Sequence, residues 1–351
     1  MIANSSIKIS VPIFAYNHEK YIAKALDSVL MQRTNFDYEI VIGDDFSTDN
    51  TRNILIDYKS RYPEKIRLLF NYRNLGAHRN IEQTLHACLG TYVAVLDGDD
   101  YWTSPDKLQR QADFLTDHPH CSLCFHDALI LYEDGSQQPT SYRTCQKEFS
   151  TVEDLLLDNY IPTSSVMFRR GLVEKIPDWV GKLKMGDWPT YILYAQKGKI
   201  GYIDETMSVY VVHRGGVWST KTWQDHTQAI IGLFEALDKH LEPKYTSNTR
   251  LILRWRYFEA SEKYEHLGDM ASARPFAVKA FAKHLLIVSE QLFYRKWTES
   301  TLIPKYMMSV KGMRLFNSLL RLYLVPVMRT HFPLPLYKFI GAIARKLDLG
   351  L

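Results

Sequence analysis

Ile7, Ile9, Val11 and Ile13 alternate with other residues, the period-two signature of a strand. Ile22, Ala25, Leu26, Val29 and Leu30 then fall at i, i+3, i+4, i+7 and i+8, the single apolar stripe of a helix. Glu39-Ile40-Val41-Ile42 reads as a short buried strand ending at Gly43-Asp44-Asp45. Ser47 to Asn50 supply capping residues for a helix over 52–62, which Pro63 ends. A strand over 66–70, a helix over 80–89 closed by Gly90, and a strand over 92–96 running into Asp97-Gly98-Asp99-Asp100 continue the alternation. This order predicts an α/β fold with a mostly parallel, Rossmann-like sheet and helices on both faces. Ligands of such sheets bind at the carboxyl ends of the strands, where the polar clusters of this chain fall.

Beyond residue 130 the order loosens. Strands are expected over 164–168, 200–203 and 208–212, and helices over 152–159 and 188–196. From about Trp223 the pattern is helical only, over 228–240, 249–266 and 271–289, and Ala260, Ala271, Ala273 and Ala277 point to close-packed helical hairpins. The expected division is a catalytic domain over 1–220 and an all-helical C-terminal region over 221–351.

Charge changes the picture only at the end of the chain. The total of +4, from 43 Lys+Arg against 39 Asp+Glu, is too balanced for a nucleic-acid binder, so no nucleic-acid partner is expected. From 305 to 351, however, eight basic residues face the single acid Asp348. There Leu319-Leu320-Arg321-Leu322-Tyr323-Leu324-Val325 is well short of the roughly 20 apolar residues that span a bilayer. Basic residues among Leu, Phe and Tyr fit a segment lying on an anionic membrane surface, with a helix packed on the catalytic domain or on a second subunit as the alternative.

Residues 1–6 carry no basic region followed by an apolar core, so no secretory signal is expected. The four cysteines Cys88, Cys121, Cys124 and Cys145 fit a reducing cytoplasm. Cys121 and Cys124 lie three apart on a strand, facing opposite sides, and read as buried thiols rather than a metal or redox pair. The expected location is cytoplasmic, peripheral on the inner membrane face if the tail binds there.

The strongest chemical signal is Asp97-Gly98-Asp99-Asp100 directly after a buried strand. Carboxylates crowded so closely repel, and a fold that gathers them needs a cation. Mg²⁺ or Mn²⁺ takes oxygen ligands and shares them with substrate phosphates; the alternative is an acidic turn. Asp44 and Asp45 end the preceding strand, where a carboxylate can accept a hydrogen bond from a nucleobase or ribose, or cap a helix. Tyr16 ends the first strand, placed to stack a base or to cover the core.

Taken in order, Ser10-Val11-Pro12…Tyr16-Asn17, Ile42-Gly43-Asp44-Asp45-Phe46-Ser47-Thr48-Asp49, Asn74-Leu75-Gly76…Arg79-Asn80 and Gly90-Thr91-Tyr92…Leu96-Asp97-Gly98-Asp99-Asp100 resemble the family 2 glycosyltransferases. The resemblance covers the N-terminal part of the chain and implies the GT-A fold and inverting transfer of a sugar from a nucleotide-diphosphate donor. It places Pro12, Phe14, Tyr16 and Asn17 along the nucleotide pocket and Asp45, with Asp44 beside it, at the base. Arg79 falls near the diphosphate. Asp97 with Gly98, Asp99 and Asp100 would hold the metal and donor diphosphate. Phe46 departs from the family, where Gly is common. Met185-Gly186-Asp187-Trp188 matches the place of the catalytic aspartate, so Asp187 is the expected base. Asp187 also reads as a helix N-cap, and the two roles are compatible. His213, ending the last strand, is either a metal-side residue or a surface histidine. Acceptors in this family range over glycans, lipid-linked glycans and proteins, and bacterial surface polysaccharide synthesis is the expected setting.

Three rival classes make different demands on the sequence. A sugar nucleotidyltransferase needs a Gly-rich basic loop after the first strand, and Pro12 to Lys20 contains no Gly or Arg. A dinucleotide-dependent oxidoreductase needs G-x-G-x-x-G there, which is absent. A non-catalytic sugar-nucleotide or carbohydrate-binding module remains the alternative, opposed by the set Asp97, Asp99 and Asp187.

Overall fold

The structure, a computed structural model, describes residues 7–142 and 147–293. The basic segment 305–351 and Cys145 lie outside the described residues. The chain divides into two compact units, Met1–Ala236 and Leu237–Leu351.

The first unit begins with β1 (Ile7–Ala15), α1 (Ile22–Leu30), β2 (Asp37–Asp44), α2 (Thr51–Arg61), β3 (Ile66–Phe70) and α3 (Ala77–Ala87). The short strands β4 (Tyr92–Ala94), β5 (Leu96–Asp97) and β6 (Tyr101–Trp102) flank the acidic turn. After them come α4 (Lys107–Asp117), β7 (Cys121–Tyr132), β8 (Thr140–Ser141), β9 (Phe149–Ser150) and α5 (Val152–Leu157). β10 (Met167–Arg169), α6 (Asp187–Ala195) and β11 (Lys199–Val212) complete the unit, and α7 (Trp223–His240) leads out of it.

The strands form one sheet in the order β3-β2-β1-β4-β10-β7-β11-β6. β1 pairs in parallel with β2, β4 and β5, and β2 with β3, as the alternation predicts. The second half is mixed: β10 runs antiparallel between β4 and β7, while β7 and β11 are parallel. The chain reverses its direction of strand addition at β1, with β2 and β3 to one side and β4 to the other. A crevice therefore opens beyond the carboxyl ends of β1 and β4.

The apolar pattern accounts for the core. Ile9, Val11, Ile13, Ile40 and Ile42 are fully buried, and Ile22, Ala25, Leu26 and Val29 present the buried stripe of α1. The strands expected separately over 200–203 and 208–212 are one strand, β11, whose pairing with β7 shifts register between Ile203 and Ser208. Glu205 lies in that irregular stretch and pairs with Arg110, so polar residues mark a bulge rather than a loop. Cys121 and Cys124 are buried as expected, and burial pushes the Cys121 thiol up to about 11.

Gly90 marks the tightest crossing. Its N–H and that of Leu89 donate to Ser10 Oγ at 2.8 and 3.0 Å, and Ser10 Oγ donates to Glu39 Oε1 at 2.6 Å. A Cβ on Gly90 would collide with the backbone of Ile9 and Ser10, which cannot move without shifting β1. Gly90→Ala is expected to destabilise the first unit by about 1–3 kcal/mol, read as a lower denaturant midpoint. An unchanged midpoint would mean that β1 has slack here.

The described part of the second unit is a helical hairpin of α8 (Thr246–His266) and α9 (Met270–Phe293). Of the four alanines expected to pack, Ala260, Ala273 and Ala277 are buried while Ala271, in the first turn of α9, is exposed, and Ser261 Oγ donates to the Ala273 carbonyl at 3.1 Å. Gly268, at φ 76°, makes the left-handed turn between the helices.

Candidate active site

The acidic turn is built by β5, which pairs with β1 so that Asp97 lies opposite Phe14. Gly98 N–H donates to the Phe14 carbonyl at 2.9 Å. A Cβ on Gly98 would sit 2.7 Å from His18 Nδ1 and 2.8 Å from that carbonyl, so only glycine lets the turn approach β1. Asp100 N–H closes on the Asp97 carbonyl at 3.1 Å.

The three carboxylates then separate by role. Asp100 is buried and its Oδ1 accepts the Val211 N–H at 2.9 Å, tying the turn to β11. Burial, with Asp99 and Asp97 beside it, raises its proton affinity. Asp97 and Asp99 are part-exposed at the crevice. Burial and the neighbouring Asp99 and Asp187 push Asp97 up to about 8. Burial acts against the Asp99 anion as well, but a hydrogen bond from His213 and the charge of His18 outweigh it and hold Asp99 below the usual carboxylate range.

His213 Nε2 lies 3.1 Å from Asp99 Oδ2, and Gly215 N–H donates to His213 Nδ1 at 3.2 Å. Because Nδ1 accepts, the proton of the neutral ring sits on Nε2 and is donated to Asp99. The Tyr21 ring lies 4.5 Å from the His213 ring, and Tyr21 Oη donates to Glu133 Oε1 at 2.9 Å. The Asp99 bond raises the His213 proton affinity, while burial lowers that of His18. Of the two readings of His213 from sequence, the structure places it against the acidic turn rather than on the open surface.

Asp187 opens α6 and is also part-buried. Burial raises its proton affinity, opposed by the Trp188 N–H and by Asn159, whose Nδ2 donates to Asp187 Oδ2 at 3.1 Å. Asp187 is near enough to Asp97 for its charge to raise the Asp97 proton affinity, so the start of α6 comes close to the acidic turn.

On the other side, Tyr16 is exposed and Asn17 takes a left-handed φ of 56°. Asn17 N–H donates to Ser47 Oγ at 2.9 Å and its Oδ1 accepts the Thr48 N–H at 2.8 Å, locking the ends of β1 and β2 together. Asp45 Oδ1 accepts from Leu75 N–H at 2.7 Å and from Asn71 Nδ2 at 3.0 Å, and its Oδ2 accepts from Gly76 N–H at 2.9 Å. Asp45 thus anchors the Asn74-Leu75-Gly76 segment. Asp44 is fully buried, with Oδ2 on Arg52 Nε at 2.5 Å and Oδ1 unpartnered. Phe46 holds φ 65°, costly for a bulky side chain, under the Arg52 guanidinium 5.1 Å from its ring. Pro12 is buried in β1, Phe14 is part-buried, and Arg79 is exposed on the first turn of α3.

Arg52, His18 and Asn159 were not singled out from sequence. Arg52 stands in the first turn of α2, where the helix dipole disfavours a cation, and that anomaly was a usable signal. His18 follows the Tyr16-Asn17 pair directly. For Asn159 the sequence carries no signal. A cleft of about 760 Å³, the size of a small-molecule site, is lined by Tyr16, Asn17, His18, His213, Arg214 and Ser219 among others.

Crystal structures of the same architecture include S. aureus TarS with UDP-GlcNAc, at TM-score 0.56 and 20% identity over 85% of this chain and 95% of that one. A mannosyltransferase from Pyrobaculum calidifontis with GDP-Man and Mn²⁺ aligns at TM-score 0.53 and 16% identity over 84% of each chain. The fold is therefore that of the GT-A glycosyltransferases. Residues 10–176 match the glycosyl transferase family 2 signature. A putative teichuronic acid biosynthesis glycosyltransferase of Bacillus subtilis, TuaG, is 30% identical over 220 residues, 61% of this chain and 82% of the relative. An uncharacterized protein of Mycobacterium tuberculosis is 36% identical over 236 residues, 65% of this chain and 67% of the relative. The chain belongs to glycosyl transferase family 2 and is a glycosyltransferase.

Proposed function

We propose that this enzyme transfers a sugar, with inversion, from a nucleotide-diphosphate donor to an acceptor hydroxyl in bacterial surface polysaccharide synthesis. The observation that carries this reading is the turn after β5 that sets Asp97 and Asp99 together at the carboxyl end of the strand, with Asp187 near enough for its charge to raise Asp97. The names of relatives support it: one is a putative teichuronic acid glycosyltransferase, and the fold neighbours hold UDP-GlcNAc or GDP-Man. The chemistry is assigned to residues 1–220.

The donor set fits a divalent cation. Asp97 and Asp99 are hard oxygen donors; burial first, and then the charge of Asp99, raises Asp97, and a cation offsets both. Among the described residues no three His, Cys, Asp or Glu side chains already converge as a metal site. Mg²⁺ or Mn²⁺ commonly takes one or two carboxylates and completes its coordination with substrate phosphate and water. Asp97 and Asp99 would hold it, with Asp100 fixing the turn and His213 steadying Asp99. Ligation by His213 Nε2 would require its proton to move to Nδ1 and the Gly215 bond to break. The bound cation supplies charge stabilisation to the departing nucleoside diphosphate.

The protein's own groups do the rest. Tyr16 offers a face to the base, and Asn17, Asp45 and Arg52 fix the loops around it. Arg79, exposed on α3, is assigned to the diphosphate. Asp187 takes the proton of the acceptor hydroxyl as that oxygen attacks the anomeric carbon from the side opposite the leaving group. One base suffices because no covalent intermediate forms.

Among the described residues no helix is long and apolar enough to cross a membrane. We assign attachment to an anionic membrane surface to the basic segment 305–351 on its sequence alone.

A thermal-shift screen of nucleoside diphosphates tests donor binding. A diphosphate at a hundredfold its Kd should stabilise the protein by about 2.7 kcal/mol with Mn²⁺ and far less with EDTA. No shift with any diphosphate, or an equal shift in EDTA, would count against the assignment.

A further inference from the structure

Between α5 and α6 the chain makes two linked polar contacts beside the proposed base. Trp188 Nε1 donates to the Leu155 carbonyl at 2.9 Å, joining the body of α5 to the first turn of α6. Two residues past the end of α5, Asn159 Nδ2 donates to Asp187 Oδ2 at 3.1 Å. The direction of this second bond is fixed by chemistry, because an ionised carboxylate only accepts and so must face the amide nitrogen. The Asn159 Oδ1 atom is buried and has no partner.

An unmet buried carbonyl costs about as much as one good hydrogen bond returns, so the Asn159 contact adds little net stability. At this position a hydrophobic side chain of similar size would avoid that cost. The asymmetry, one end of the amide on Asp187 and the other on nothing, marks the contact as serving the carboxylate.

We propose that Asn159 is the positioning residue of the reaction: by holding Asp187 Oδ2 it fixes the carboxylate plane and leaves Oδ1 as the oxygen that receives the acceptor proton. This rests on Asp187 being the base. Without the amide only backbone N–H groups, the Trp188 N–H chief among them, restrain the carboxylate, and its orientation is less closely fixed. A carboxylate that must be held to within 10–20° for efficient proton transfer loses rate when that restraint goes.

The amide also favours the ionised form of Asp187. Burial opposes that charge and the Trp188 N–H supports it, while Asp97 from the acidic turn and the Tyr191 hydroxyl one helical turn along α6 feel the charge of Asp187. Losing the Asn159 donor therefore raises the Asp187 proton affinity, and the base becomes ionised only at higher pH.

The test is steady-state transfer by Asn159→Leu and Asn159→Ala across pH, with Trp188→Phe and Asp187→Asn alongside. Asn159→Leu keeps the bulk and removes the donor without adding a charge, so it reads the contact even if the alanine variant folds poorly. Both Asn159 variants should lower kcat about tenfold with donor KM within about twofold of wild type. The acid limb of kcat should move up by about one pH unit. Trp188→Phe, which breaks only the α5 to α6 tie, should lower thermal stability and leave the limb in place. The proposal is overturned if the Asn159 variants keep kcat and the limb while Asp187→Asn abolishes transfer. It is equally overturned if Trp188→Phe moves the limb as far as they do, which would make the effect structural. If Asp187→Asn itself retains transfer, the base has been misassigned and the proposal goes with it.

Discussion

Replacing Asp187 by Asn is expected to lower sugar transfer by at least about a hundredfold while donor binding stays near normal. General-base assistance is typically worth about 10²–10⁴-fold, and the amide cannot take a proton. The substitution keeps the size of the side chain and an oxygen for Asn159 and the Trp188 N–H, so the start of α6 keeps its contacts. It also removes a negative charge that pushes Asp97 up, which makes Asp97 a better anion and leaves cation binding no weaker. The two readouts therefore separate: kcat falls and the donor dissociation constant does not rise. Transfer within about threefold of wild type would place the base elsewhere, with Glu174, Asp178 and Asp204 next in line. Two of these are poorly placed, since Asp178 is exposed and paired with Lys175 at 2.8 Å, and Glu174 is exposed. Loss of donor binding would instead make Asp187 a structural cap.

The second large effect is expected at Asp99. Asp99→Ala should weaken Mn²⁺-dependent donor binding by more than about a hundredfold, beyond the 10–100-fold typical of residues that only support a ligand. Its side chain is 22% exposed, and His213 keeps its Gly215 bond and its contact with the Tyr21 ring without it, so the fold should survive. Asp100 behaves differently because its Oδ1 carries the Val211 N–H in the core, and its loss should show as instability rather than as weak binding alone. Isothermal titration of a nucleoside diphosphate with and without Mn²⁺ reads the difference. Unchanged Mn²⁺-dependent affinity in Asp99→Ala would remove the cation from this turn.

What the sequence disclosed and what it hid follow from how far each signal reaches. β1, α1 and β2 were legible because their apolar positions repeat at the local period and face one core. The acidic turn was legible because four residues in a row carry it. α4 was not anticipated, and its buried face explains why: Lys107, Leu108, Gln111, Ala112 and Leu115 recur at helical spacing, but two of the five are polar. Lys107 lies over the Trp102 ring at 3.7 Å with its amine unpartnered and its proton affinity driven well down by burial. No periodicity rule reads such a lysine as core.

The site divides in the same way. Sequence order grouped Tyr16, Asn17, Asp44 and Asp45 as nucleotide residues, yet Asn17 and Asp45 have their side-chain oxygens engaged by the backbone of neighbouring loops. These bonds tie neighbouring loops together, which only coordinates reveal, and Asn17 also lines the cleft. His213 is 114 positions from Asp99 and Asn159 is 28 from Asp187, so these pairings depend on how β11 and α5 return to the sheet edge. Phe46 could be marked as a departure from glycine, but its left-handed backbone and its contact with Arg52 could not.

The most direct test of the whole account is the fate of a nucleotide-diphosphate sugar incubated with the purified protein, followed by release of the nucleoside diphosphate. With Mn²⁺ at least one donor should be slowly consumed even in water and faster with a hydroxyl acceptor, EDTA should stop the release, and added Mn²⁺ should restore it. Release that continues at the same rate in excess EDTA, or no release from any donor under any condition, would contradict a cation-dependent transferase built on Asp97, Asp99 and Asp187.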